Sequence, residues 1–472
     1  METGVTALPD DALADVLRRL PAQSLATAAC VCRAWHAIID GHALLLSKRR
    51  SLPRSVHGIF INYIDYDPSH LLARPSSPST IPGVDGSLRF LPIDHTLYRS
   101  SFSVMDHCNG LLLCEISGRD LCVCNPATRR YTLIPRQNVT RRYRHCPYTA
   151  GAYLTYDPAR SPHYEVFLIP AVPKAPHSDP WTQVNEGKEL HSDPCRLTEW
   201  PPTPWMLHVF SSRTGQWEER AFVREGGPAG TVEDMRPYPS QLTFEGLRQR
   251  YAVYLQGHLY VHCHSSFVVR LSLSKDRYQV TKTPAYFEKR TFGKPYLGRS
   301  KKEVLFGIVQ RCRLRVWILN ESDGQMQWIL KYQDDLNLYA QHVAEYGRNM
   351  DAPWILDDAP DADAAAKTLS ERSVEWDSDN DDVFSTSGGA EEYCAAEFDV
   401  LGFHPYKEIV YLAEFFRVVA YHLNSSKIQY LGNSRPKDYY EGYANGIYES
   451  FVYTPCTVDE LHGDDTCQSS SS

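Results

Sequence analysis

HLYVHCHSSFVVRLSLSKDRY, residues 258–278, holds one copy of the pattern that decides the fold. A short run of β-formers, His258 to His262, is followed by a polar break and a second run ending in Ser. A turn rich in Ser, Lys and Asp comes next, and Tyr278 opens a further strand. The same order recurs four more times. Gly110–Cys114 goes with Leu121–Tyr131, and Tyr164–Ile169 with His208–Trp217. Val304–Ile308 goes with Arg315–Trp328, and Glu408–Leu412 with Val419–Tyr430. The aromatics that open the last strand of each copy stand at 131, 217, 278, 328 and 430, which are 86, 61, 50 and 102 residues apart. The shortest interval is that of a four-stranded propeller blade, about 50 residues. Repeats of this kind predict a radial stack of small sheets rather than two sandwiches. About six blades are expected, with Phe451-Val-Tyr near the C-terminus pairing beside Phe60-Ile-Asn to close the ring.

The longer intervals contain insertions. Residues 171–204 are dense in Pro and His and show no apolar period. Residues 338–392 include ten Asp or Glu between Asp357 and Asp382, beside a short alanine run. Such a composition buries too little apolar area to offset chain entropy, so a solvated, mobile spacer is expected from Asp357 to Glu392.

Ahead of the β region the period changes. Leu13, Val16, Leu17 and Leu20 recur at helical offsets, so they share one face of a helix. Asp10 and Asp11 suit the positive end of that helix, Arg18 and Arg19 its other end, and Pro21 stops it. Ser24 can cap a second helix through Leu25, Ala28, Ala29 and Cys32, and Trp35, Ile38 and Ile39 supply a third turn. A unit of about 40 residues is near the lower limit for independent folding, so its leftover apolar surface is expected to meet a partner.

These residues resemble an F-box. The pattern is carried by Leu8-Pro9, Leu13, Val16-Leu17, Leu20-Pro21, Leu25 and Val31-Cys32-Arg33-Ala34-Trp35. One departure is the stretch Ala26–Ala29, which is poorer in polar side chains than the family. The resemblance implies that Leu8, Pro9, Leu13, Val16, Leu17, Leu20, Pro21, Leu25, Val31, Cys32, Arg33 and Trp35 bind a Skp-family adaptor, and through it a cullin-RING ubiquitin ligase. An F-box followed by blocks such as Cys124-Asn-Pro-Ala-Thr-Arg-Arg and Leu401-Gly-Phe-His-Pro looks like plant F-box proteins with an associated kelch-like β-propeller. The expected architecture is α+β and multidomain: a three-helix F-box over residues 1–50, then an all-β propeller over 51–472. The expected role is that of a substrate receptor without catalysis of its own, whose substrate-binding residues the sequence leaves unknown.

Composition bounds the alternatives. A formal charge of −8 argues against a nucleic-acid surface, and no apolar run approaches the roughly 20 residues of a membrane span. The N-terminus lacks a basic region followed by an apolar core, so the expected location is intracellular, in cytoplasm or nucleus. Thirteen scattered cysteines then read as free thiols. No paired C-x-x-C zinc spacing, Gly-rich phosphate loop or Gly-x-Ser-x-Gly elbow occurs, and no cofactor is expected. His262 and His264 would share a strand face, but nothing local completes a metal site around them. Some kelch propellers are oxidases or bind sugars, which leaves an enzyme, a lectin or a non-degradative scaffold as the competing readings.

Overall fold

The computed structural model describes residues 10–19, 35 and 38 of the N-terminal region. Between 56 and 461 it describes all but residues 65, 75–83, 94–101, 118–119, 137–149, 171, 174–193, 237–250, 264–266, 285–293, 323, 338, 340–352, 358–397, 440–445 and 457–460. Helix α1 (Asp10–Arg19) has the expected two Asp at its start and two Arg at its end. The second and third helices expected of the N-terminal unit fall outside the described residues, where only Trp35 and Ile38 are described, both helical.

The described residues from 56 onwards are dominated by strands. Two come first, β1 (Gly58–Tyr63) and β2 (Tyr66–Ala73). Five antiparallel four-stranded units follow in chain order, the second and third of them joined at their outer strands by a short parallel pairing of Val223–Arg224 with Arg277–Tyr278. The first of them is built from β3 (Phe102–Cys108), β4 (Leu111–Ile116), β5 (Asp120–Asn125) and β6 (Arg130–Leu133). The next comprises β7 (Ala150–Tyr156), β8 (Tyr164–Pro170), then, after a short strand β9 (Glu199–Trp200), β10 (Trp205–Ser211) and β11 (Gln216–Arg224). The short strand β12 (Gly230–Thr231) and helix α2 (Val232–Met235) lead to β13 (Ala252–Leu255), β14 (His258–Cys263), β15 (Phe267–Ser272) and β16 (Arg277–Lys282). After these come β17 (Tyr296–Arg299), β18 (Val304–Gln310), β19 (Arg313–Ser322) and β20 (Gln325–Asp335). Last are the short β21 (Ile355–Leu356), then β22 (Phe398–Phe403), β23 (Ile409–Glu414), β24 (Arg417–His422), β25 (Lys427–Asn433) and the terminal β26 (Ile447–Tyr453).

One more sheet, counted first around the ring because it holds β1 and β2, is assembled from the two ends of this region in the order β21-β2-β1-β26, which makes β17–β20 the fifth sheet and β22–β25 the sixth. Phe60 pairs with Phe451 and Gly58 with Tyr453, so the expected closure between these two stretches is present. The first strands β26, β3, β7, β13, β17 and β22 each touch the next, and β22 returns to β26. The result is a closed, β-propeller-like ring of six sheets.

All five sequence repeats coincide with the second and third strands of a consecutive sheet. Tyr131, Tyr278, Trp328 and Tyr430 stand next to the first residue of the fourth strand, or a few residues in, and Trp217 does the same in β11. Sheets pack face to face through apolar side chains. Trp205, Phe222 and Tyr278 are fully buried between the sheets of β7–β11 and β13–β16, and Tyr411, Ile59 and Leu72 between the β22–β25 sheet and the closing one.

Both insertions contribute to this frame. In the first, β9 pairs with β12 and brings Trp200 edge-on against Trp205 at 6.1 Å. Thr231 and Asp234 form a capping box on α2, whose Val232 and Met235 are buried beside them. In the second, β21 adds an outer strand to the closing sheet by pairing with β2, and Trp354 is buried. Asp357, the first residue of the stretch expected to be mobile, accepts a bond at 2.9 Å across to His70 Nδ1. The rest of that stretch lies outside the described residues.

Candidate functional site: helix α1 and the mouth of the ring

On α1 the apolar positions do not share one fate. Ala14 and Leu17 are 1% exposed, Leu13 is half-buried and Val16 is 52% exposed. At about 100° per residue, Ala14 and Leu17 bracket the centre of the buried sector, Leu13 lies on its flank and Val16 well outside it. The apolar stripe is therefore wider than the surface the chain itself covers. Trp35 is half-buried and Ile38 buried. Leu8, Pro9, Leu20, Pro21, Leu25, Val31, Cys32 and Arg33 lie outside the described residues.

The second candidate is on the ring axis. Asn109 after β3, Pro405 after β22 and Thr454 after β26 gather at one end of it, beside residues of β13 and β17. An axial cavity of about 50 Å³ opens there, lined by Asp106–Asn109, Tyr251–Tyr254, Tyr296–Arg299, Phe403, Pro405, Phe451, Val452 and Thr454. That volume suits a few waters and falls far short of the roughly 300 Å³ or more of a typical small-molecule site. Aromatic rings fill the axis below. Tyr251 and Tyr296 stack with centroids 4.1 Å apart, and Phe403 and Phe451 pack edge-on against them at 6.0 and 6.2 Å. The tyrosine hydroxyls are satisfied by the inner strands: Tyr296 donates to Ser450 O, and Tyr251 accepts from Ser450 N.

Two tight turns shape the mouth. Asn109-Gly110 joins β3 to β4 with φ of 48° and 92°, and Gln256-Gly257 joins β13 to β14 with φ of 51° and 82°. Both suit the twist of an antiparallel pair. Gly110 has a second constraint, because a Cβ there would stand 2.2 Å from the Cβ of Cys456.

Burial removes charge from the cavity floor. The Asp106 carboxyl is pushed up to about 8 by desolvation, although the amides of Leu154 and His107 donate to it and pull the other way. Burial, helped by the Arg299 cation, lowers His107 to about 4, and burial pushes the Cys108 thiol up to about 12. Near neutral pH His107 and Cys108 are thus uncharged, and Asp106 is largely protonated. The cation at the mouth is Arg299, the last residue of β17. Its Nη2 donates to Asn109 Oδ1 at 2.5 Å and its Nη1 to Tyr254 O at 3.4 Å. None of the cavity-lining residues belongs to a sequence repeat; Phe403 and Pro405 fall in the block Leu401–Pro405, Phe451 and Val452 in the closing stretch, and the others follow no pattern. His262, considered as a metal ligand from its spacing, is buried with its ring edge-on to Phe306 at 5.4 Å, and no group of three metal-ligating side chains occurs among the described residues.

Residues 5–48 match a family model described as F-box-like. Curated relatives come from Arabidopsis thaliana. A putative F-box protein is 30% identical over 147 residues, covering 30% of this chain and 37% of the relative. An F-box protein is 26% identical over 221 residues, 44% of each chain. A putative F-box/kelch-repeat protein is 27% identical over 136 residues, 28% of this chain and 34% of the relative. The chain thus spans less than half the length of each of these. Among solved structures it aligns with YCF48 bound to D1 peptide over 80% of this chain and 82% of that one, at 8% identity and a TM-score of 0.34. It also aligns with the β-propeller domain of Cps50 (Swd1) over 71% of each chain, at 9% identity and a TM-score of 0.28.

Proposed function

We propose, from the F-box-like domain at residues 5–48 and the Arabidopsis F-box proteins among its homologues, that this chain is a substrate receptor of a Skp-cullin-F-box ubiquitin ligase. The F-box-like match is the observation that carries the reading. The N-terminal unit, up to about residue 50, holds a Skp-family adaptor. The rest of the chain, read as a kelch-like propeller of six blades, presents a protein target inside the cell. Ubiquitin transfer belongs to other subunits. The adaptor surface is formed by the positions of the F-box pattern, Leu8 and Pro9 through Trp35, with Val16 as the described member that the chain leaves at water.

Val16 permits a clean test, because a charge at a position 52% exposed costs the fold little but is expensive in an apolar interface. Val16→Glu should weaken adaptor binding by more than tenfold in a titration with the purified adaptor. Leu8→Ala/Pro9→Ala should do the same. The thermal unfolding of the ring should stay unchanged in both variants, since distant sites rarely couple. Undiminished adaptor binding by both variants, or none by the wild type, removes the ligase reading.

A further inference from the structure

Arg299 differs from four partly buried arginines of the ring that are paired with carboxylates. Arg220 meets Asp276, Arg224 meets Glu199, Arg270 meets Glu321 and Arg417 meets Glu414, each within ion-pair distance. Arg299 has no carboxylate within 4.0 Å among the described residues, and its two acceptors, Asn109 Oδ1 and Tyr254 O, are neutral. Both acceptors hold the guanidinium in place over the cavity without cancelling its charge. Its Nε–H bonds to no described residue.

The surrounding acids are occupied. Asp106 on the cavity floor already receives Leu154 N at 2.7 Å. Asp157, in the turn after β7, takes Arg160 at 3.9 Å and the amide of Ala159. Glu303 and Glu408, in the turns after β17 and β22, are both held by Lys331 at 3.0 and 3.2 Å. Lys301 and Lys302, one turn beyond Arg299, are exposed and have no ion pair among the described residues. On a chain with a formal charge of −8, this end of the axis carries local positive charge above a wall of Tyr251, Tyr296, Phe403 and Phe451. A cation set against low-dielectric walls attracts anions more strongly than one in open water, and a guanidinium fork matches a carboxylate in shape as well as sign.

We propose that the Arg299 mouth is the target-docking site of the ring and that it takes a peptide carboxylate, from an Asp or Glu side chain or a chain terminus. This assignment rests on the receptor reading above and names the chemistry it selects. A cavity of about 50 Å³ admits the carboxylate and little else, so the flanking peptide lies across the rim, near Lys301 and Lys302.

The test uses the full chain bound to its adaptor. A displayed random dodecapeptide library selects internal acids, and synthetic versions of the selected peptides, with free or amidated C-termini, are titrated by fluorescence polarisation. The expected result is one required acid, or a required free C-terminus. Changing that acid to its amide, or amidating the terminus, should weaken binding tenfold or more. Arg299→Gln should cause a similar loss and no further loss with the neutralised peptide, while Arg299→Lys should recover part of the affinity. Selected peptides that need no carboxylate, undiminished binding by Arg299→Gln, or no peptide retained by the wild type would each overturn the assignment. Adaptor affinity measured on the same preparations separates the two ideas. If it persists, only the docking site fails, and if it is absent in the wild type, the receptor reading fails first.

Discussion

The closing sheet and the fifth sheet of the ring contain four strands each, yet they are built on opposite plans. The fifth, β17 to β20, is one run of chain in which every strand pairs with its neighbour in sequence. The closing sheet draws β1 and β2 from the start of the ring, β21 from within an insertion and β26 from its end. Asn62 shows how far these pairings reach. It donates to Glu449 Oε2 at 3.2 Å across 387 positions, donates to Val104 O at 2.7 Å, and accepts from Ser69 Oγ at 2.5 Å. Four chain segments thus meet in one buried polar network. Loop-closure entropy grows only slowly with length, so long-range pairing of this kind is affordable once formed. The difference teaches that the ring's integrity depends on a few terminal residues, whereas a repeat inside it is locally self-sufficient.

The largest effect expected from that difference is at Tyr453. It is fully buried, its ring meets Phe60 edge-on at 5.4 Å, and its hydroxyl donates to Gly110 O at 3.2 Å. Tyr453→Ala should destabilise by about 3–5 kcal/mol, the usual cost of removing a buried aromatic. Trp328→Ala, on the half-buried outer strand of the fifth sheet, should cost less. Urea unfolding of both variants measures the contrast, and equal losses would break it.

A middle-sized effect concerns pH, at the axis that both sheets border. Asp106 holds its proton up to about pH 8 in the folded protein, against an ordinary value of 3.8. Between those values the folded state binds more protons than the unfolded one, so this residue makes the protein less stable as pH rises through that window. His107, lowered from 6.5 to about 4, works in the opposite direction between pH 4 and 6.5. Asp106→Asn keeps an acceptor for Leu154 N and removes the titration. Relative to wild type, the variant should therefore gain stability steadily as pH rises from about 4 to 8. A constant offset between the two stability curves would show that Asp106 does not titrate in this way.

How much of this was legible in the sequence follows the same division. The repeats exposed the second and third strands of five sheets, because those strands are buried between neighbours and need β-branched and aromatic residues in a fixed order. The closure between Phe451 and Phe60 could be anticipated because an open ring would leave two bare edges. The first strands were less visible. Their side chains line the axis, where each meets different neighbours, so Asp106, Tyr251 and Arg299 obey no common pattern. Nor could Trp354 and β21 be anticipated, since two strand residues inside an acidic insertion carry no period. On α1 the offsets were right for a helix, but the width of the covered sector was not readable. That Val16 stands at water depends on what Ala14 and Leu17 meet, and spacing alone does not tell.

The smallest effect belongs to the outer face of the fifth sheet, where Ile329 and Leu330 on β20 are 43% and 48% exposed. Leu330 lies opposite Trp317 on β19 and stands on the last strand of its sheet. Removing a half-exposed side chain forfeits only part of its transfer free energy and leaves no enclosed cavity, because water takes the vacated space. Leu330→Ala should therefore shift stability by no more than about 0.5 kcal/mol. Leu297→Ala, on the first strand of the same sheet and 1% exposed, should cost about 2–5 kcal/mol. The same leucine-to-alanine change within one sheet would then differ severalfold, with the gradient running from axis to rim. If Leu330→Ala proved as costly as Leu297→Ala, the fifth sheet would depend on contacts beyond its own hairpins, and its independence from the rest of the chain would have to be given up.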